Sequence, residues 1–170
     1  MKQDRYSLTA NKVAMMRAAH QIFDNPKIFE DPIAISIIGT QGVFEIRSEK
    51  RKFKIRLHSY LRAIVVARSR FVEDALSMAI KQGIRQYVIL GAGLDTFAYR
   101  NPYSDAGLRV FEIDYPATQK WKRQQLNTGN ISIPESLTFV PVDFENQSLR
   151  DRLQETGSGR MNRAFFHGLA

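Results

Sequence analysis

Cysteine is missing from the 170 residues, which excludes disulfide staples and thiolate metal sites and fits a reducing cytoplasm, the expected location. No uninterrupted apolar stretch approaches the ~20 residues that a membrane-spanning helix needs. The opening "MKQDRYSLTANK" lacks the apolar core of a secretory signal, so no membrane association is expected. Histidine is scarce: His20, His58 and His167 stand far apart, and each reads as a packing or surface residue. No metal site is expected, and no catalytic base can be named. Internal repeats and low-complexity stretches are absent as well, so repeat architectures and disordered tracts are excluded.

What is present describes an ordinary globular domain, with 44% hydrophobic and 25% charged residues and enough length for one core. The formal charge of +8 is the exception. Its densest stretch, "RSEKRKFKIRLHSYLR" at 47–62, interleaves Lys50, Arg51, Lys52, Lys54 and Arg56 with Phe53 and Tyr60. Such a stretch could contact phosphates and stack on bases. No nucleic-acid-binding motif accompanies it, and the plainer expectation is a solvated loop and strand.

The periodicities alternate. "TANKVAMMRAAHQIF" at 9–23 has helical spacing, with Thr9 or Asn11 as its cap. A longer helix is expected over 61–83, its core stripe made by Leu61, Ile64, Val65, Val72, Ala75, Leu76, Ala79 and Ile80 and ended by Gly83. Arg68 falls on that stripe. A cation there needs an anion, either a ligand or a structural acid such as Glu73 or Asp74. After Gly83 come three short apolar strands, "YVIL", "LRVFEID" and "SLTFVPVDF", separated by helical segments. This βαβ rhythm predicts an α/β fold built on an open parallel sheet. The expected organisation is a helical region over 1–82, a partial Rossmann-like cofactor-binding domain over 83–155, and an irregular tail over 156–170.

In such sheets ligands bind beyond the carboxyl ends of the strands, where this chain keeps its unusual residues. Gly91 and Gly93 let the backbone turn and a ligand approach closely. Asp114, with Glu112 either assisting it or serving structure, can accept hydrogen bonds from ribose hydroxyls. Asp143 can accept from an adenine amino group, and Phe144 can pack beside the base. A dinucleotide fingerprint would place a third glycine where Thr96 stands, so a cofactor without phosphates fits better. S-adenosyl-L-methionine is such a cofactor, and Arg68 is the candidate cation for its carboxylate.

Several stretches together, "SLTA" at 7–10, "DP" at 31–32, "ARSRFVED" at 67–74, "GIRQYVILGAGLDTFAYR" at 83–100, "FEIDYP" at 111–116 and "VDF" at 142–144, resemble the leucine carboxyl methyltransferase family of S-adenosylmethionine-dependent O-methyltransferases. The resemblance implies a Rossmann-like class I methyltransferase fold. It implies that Arg68 meets the methionine carboxylate, that Gly91 is the cofactor glycine, that Asp114 is the strand-two acid, and that Asp143 and Phe144 form the adenine pair. Methyl transfer to a carboxylate or hydroxyl of a small-molecule acceptor is the implied activity. Family members commonly carry arginine where Phe97 stands. The family's sheet also continues beyond three strands, so the chain reads as C-terminally truncated, with an open edge that a further segment or a homodimer would cover. The alternatives are a catalytically dead binding module and a basic nucleic-acid-binding protein.

Overall fold

The computed structural model describes residues 7–155 and 164–168. Helix α1 spans Leu8–Phe23 and begins earlier than expected. Ser7, rather than Thr9 or Asn11, is its cap, the Ser7 hydroxyl accepting from the Ala10 N–H at 3.1 Å. Three short helices follow, α2 (Ile33–Ile37), α3 (Gly39–Ser48) and α4 (Lys50–Lys54). The basic stretch expected as loop and strand is therefore helical. Lys and Arg are good helix formers, Phe53 is buried beneath them, and Lys52 pairs with Glu49 one turn earlier at 2.5 Å.

Helix α5 spans Arg56–Lys81. The expected stripe is correct in its second half, where Leu76 and Ile80 are buried, and out of phase in the first, where Leu61 and Ile64 are exposed. The buried positions there are Arg62 and Val66. Helix α1 packs on that side and brings Asp24, whose carboxylate accepts from Arg62 Nε at 2.7 Å and Nη2 at 2.8 Å. A paired arginine thus takes an inward place that hydrophobicity alone assigns to leucine.

The strands are β1 (Gln86–Leu90), β2 (Arg109–Asp114), β3 (Leu137–Pro141) and β4 (Phe165–Gly168). All neighbours are parallel, in the order β3-β2-β1-β4. The fourth strand lies in the expected irregular tail, where the four residues Phe-Phe-His-Gly are too few to show a period. Pairing with Tyr87 to Leu90 of β1 gives it its conformation. Of that tail, 156–163 and 169–170 lie outside the described residues. The helix start expected after β1 is a single 3₁₀ turn, Phe97–Arg100. Helix α6 (Pro116–Thr128) follows β2 with proline in its first turn, and α7 (Leu149–Glu155) follows β3.

One face of the sheet packs Val88, Phe111, Ile113 and Val140 against Leu153 of α7. The other packs Tyr87, Ile89 and Val110 against Leu76 and Ile80 of α5. A third cluster joins α1, α2 and α3 to Leu94 and Leu126. Strands β2 and β3 lie on one side of β1 and β4 on the other, so the carboxyl end of β1 is the point where the strand order reverses. Open α/β sheets bind ligands at such a point. Among the described residues no helix is long and apolar enough to cross a membrane.

Candidate functional site

The chain leaves β1 at Leu90 and turns through Gly91 (φ 66°) and Gly93 (φ 49°), both in the left-handed region that favours glycine. The two glycines do different work. A side chain on Gly91 would meet nothing within 4 Å, so this residue faces open space. A Cβ on Gly93 would lie 2.7 Å from Ala10 Cβ, so Gly93 lets α1 settle onto the turn. Its N–H donates to Asp114 Oδ2 at 2.6 Å, and Tyr115 N–H donates to Oδ1 at 2.7 Å. Burial outweighs these bonds and raises the Asp114 carboxyl above its ordinary value.

Between this turn and α1 lies a cleft of about 350 Å³, whose walls include Gly91, Gly93, Asp95 and Asp114 from the sheet side and Ala10, Val13 and Arg17 from α1. Of the residues expected in a cofactor site, Gly91, Gly93 and Asp114 meet here. Asp143 stands beside them: Val142 N–H donates to Asp114 O at 2.9 Å, which sets the two acids next to each other at the strand ends. The Asp143 carboxylate accepts from Glu145 N–H at 3.1 Å and Asn146 Nδ2 at 2.9 Å within its own turn. Phe144 is 55% exposed, and neither residue lines the cleft.

Glu112 does not face the cleft. It is fully buried, with Oε2 2.6 Å from Lys122 Nζ, which is buried as well. Burial outweighs the lysine and pushes the Glu112 carboxyl up to about 7. Asp114 ends the strand, where the chain frees it to turn toward Gly93, whereas Glu112 sits within the ladder opposite Ile89.

Arg68 is half-buried, and its Nε is shielded from solvent without a hydrogen-bond partner among the described residues. The two acids that could have answered it are engaged elsewhere. Asp74 binds Arg70 Nε at 2.9 Å, and Glu73 is clasped by Nη1 and Nη2 of Arg100. Arg68 lies close enough to β4 to act on His167, whose imidazole is held below its ordinary value by burial and by that positive charge, against the opposing pull of Asp95. The cation therefore stands by the β1–β4 side of the sheet.

Beneath the cleft is a buried charge network that sequence reasoning did not identify. Arg17 Nη1 donates to Asp95 Oδ2 at 3.1 Å, Nη2 donates to Leu94 O, and Nε lies 3.8 Å from Asp31 Oδ2. Thr96 occupies the position of the absent third glycine, and its hydroxyl donates to Asp31 Oδ2 at 2.6 Å. Arg100 reaches Asp31 Oδ1 at 3.5 Å and lies over the Phe29 ring. Burial would raise the Asp95 carboxyl, but Arg17, the charge of Lys122 and the Phe97 N–H outweigh it and hold the group below its ordinary value. The one signal in the sequence was a charged residue, Arg17, one helical turn after Val13 on α1. Among the described residues no cluster of His, Asp and Glu could hold a metal ion.

The profile of the leucine carboxyl methyltransferase family matches residues 10–168. A Bacillus subtilis protein named "Putative S-adenosyl-L-methionine-dependent methyltransferase YktD" is 35% identical over 177 aligned residues, covering 92% of this chain and 58% of the relative. A protein of Mycobacterium sp. (strain JLS), named for the same activity, is 37% identical over 69% of this chain and 46% of its own length. Another, from Mycobacterium bovis (strain BCG / Pasteur 1173P2), is 33% identical over 81% of this chain and 41% of its own. The chain thus spans about half the length of these relatives. With a profile match over nearly its whole length, on a parallel sheet whose switch point carries the glycine turn, the chain belongs to the leucine carboxyl methyltransferase family.

Proposed function

We propose that this chain binds S-adenosyl-L-methionine at the carboxyl end of β1 and serves methyl transfer to an oxygen acceptor, a carboxylate or a hydroxyl. The observation that carries the reading is the meeting of an open glycine, Gly91, with a half-buried strand-end acid, Asp114, at the point where the strand order reverses. The donor set suits this cofactor. Asp114 keeps lone pairs for ribose hydroxyls after accepting one N–H on each oxygen. Asp143 and the Phe144 backbone would hold the adenine edge, and the exposed Phe144 ring would cover its face. Arg68, whose shielded Nε has no hydrogen-bond partner among the described residues, is the cation for the methionine carboxylate.

The bound sulfonium supplies an already activated methyl group. The protein's part is then to fix the acceptor oxygen in line and keep water out. Asp95 and Asp114 line the cleft and are both tied up by N–H groups or by Arg17. Neither is a free base, which favours a carboxylate acceptor, since that group needs no deprotonation.

Calorimetric titration with S-adenosyl-L-methionine tests the reading. The chain should bind it, and Asp114→Ala should lose about 1–3 kcal/mol of binding by leaving ribose hydroxyls unpaired. Equal affinity for both proteins would overturn the assignment.

A further inference from the structure

On the far side of α1 lies a second, larger concavity of about 640 Å³. Its apolar walls are Met15 and Met16 of α1, Phe53 of α4, and Leu61 and Val65 of α5. Val13 lines both this groove and the glycine-turn cleft, so the two meet along one edge of α1. Leu61, Val65 and Arg68 follow one another at spacings of four and three on α5 and so share one helix face. Arg68 therefore lies about one turn beyond Val65 on the same face of α5, past the residues that line the groove. At the other end His58 lines the groove, its Nδ1 shielded and without a hydrogen-bond partner among the described residues. Lys12, Lys52 and Glu45 stand on the rim, with Lys52 paired to Glu49 at 2.5 Å.

Resting on the methyl-transfer reading, we infer that this groove holds the body of the methyl acceptor, and that the acceptor is an apolar medium-chain carboxylic acid whose carboxylate enters the cleft past Val13. From Val65 to His58 the groove runs about 10 Å at 1.5 Å per residue along α5, a length suited to an extended alkyl chain. The apolar walls favour such a chain over a polar one. His58 Nδ1 adds a selective element, since a buried ring nitrogen without a partner gains most from a ligand hydroxyl at the far end. In the transfer, the carboxylate oxygen forms the new O–C bond as the S–C bond of the cofactor breaks. The electron pair passes to sulfur, and no proton moves.

The test uses the full 170-residue chain with ¹³C-methyl methionine and two probes, decanoate and 10-hydroxydecanoate. Met15 and Met16 report on the groove. Met78, exposed on the distant half of α5, reports on non-specific association. Decanoate should shift Met15 and Met16 saturably and leave Met78 in place. 10-Hydroxydecanoate should bind about threefold to tenfold more tightly, an advantage that His58→Leu abolishes. Val65→Trp, which fills the groove, should weaken both probes at least tenfold on the scale of a blocked apolar contact, while calorimetric affinity for S-adenosyl-L-methionine is retained. A shift of Met78 with the same midpoint, or decanoate affinity unchanged in Val65→Trp, overturns the groove. Binding of decanoate by a chain that does not bind the cofactor overturns the acceptor role through failure of the methyl-transfer reading instead.

Discussion

Arg17 joins α1 to the glycine turn, and replacing it with methionine measures how much that joint holds. The guanidinium is buried and donates to Leu94 O and to Asp95 Oδ2 at 3.1 Å, with Asp31 at 3.8 Å. Removing one member of a buried ion pair commonly costs about 3–5 kcal/mol, because the other charge is left uncompensated. Here part of the compensation survives. Asp31 still has Arg100 at 3.5 Å, the Thr96 hydroxyl at 2.6 Å and the Ala34 N–H at 3.1 Å, and Asp95 still has the Phe97 N–H at 2.9 Å. The expected loss for Arg17→Met is therefore about 2–4 kcal/mol. For a domain of this size that corresponds to a fall in Tm of roughly 4–16 °C.

The pH dependence gives the sharper check. Asp95 is held below its ordinary value in the folded protein, so its contribution is present above the unfolded pKa and disappears as pH falls through the folded one. Without Arg17 the largest charge that offsets burial of the carboxylate is gone, the Phe97 N–H, Lys122 and Arg100 offset only part of it, and protonation relieves the rest. The stability gap between the two proteins should be widest near neutral pH and narrow in acid. Urea denaturation at a series of pH values measures it. A gap below about 0.5 kcal/mol at pH 7, within the range of ordinary surface substitutions, or one that widens in acid, would refute the account of this joint.

The sheet was legible because burial on both faces leaves a strong imprint. "YVIL" is a continuous apolar run and "RVFEI" is one broken only by Glu112 after its first residue, the pattern of strands covered on both faces. Asp114 was legible for a related reason: an acid at the end of an apolar strand stands out. The helical region was harder to read. The stripe of α5 had the correct period, yet Arg62 lies buried where Leu61 was expected, because Asp24 arrives from 38 positions away and no local pattern announces it. The network around Asp31 has the same character. Its members come from α1, the α1–α2 connection, α5 and the turn after β1, and each looks like a surface charge in its own segment. The sequence shows the period of an element and the residue types it carries, whereas which charges pair across elements is decided by packing. Gly93 shows how the two mix, since the close approach of Ala10, 83 positions earlier, itself requires a glycine there.

Gly93→Ala should cost about 2–4 kcal/mol, from left-handed strain of about 1–2 kcal/mol and from overpacking against Ala10. Ala10→Gly in the same chain should recover the overpacking share, and a double-mutant cycle by thermal denaturation that shows no coupling would contradict the close approach. The Glu112–Lys122 pair makes the last prediction, on both charge and pH. Lys122→Met leaves a buried carboxylate unanswered and should cost about 3–5 kcal/mol at pH 8, whereas the double change Glu112→Leu with Lys122→Met should recover most of that, since an apolar pair of similar volume is often as stable as a buried ion pair. Because the folded Glu112 pKa, about 7, lies above the ordinary value of 4.5, its stabilising contribution is complete below the unfolded value and is lost as pH rises through the folded one. The wild-type protein should thus lose stability between about pH 4.5 and 7 through this group, and Glu112→Gln, which does not titrate, should flatten that part of the profile. If the slope of unfolding free energy against pH over this window is the same in both proteins, Glu112 is ionised at its ordinary pH and Lys122 compensates its burial fully.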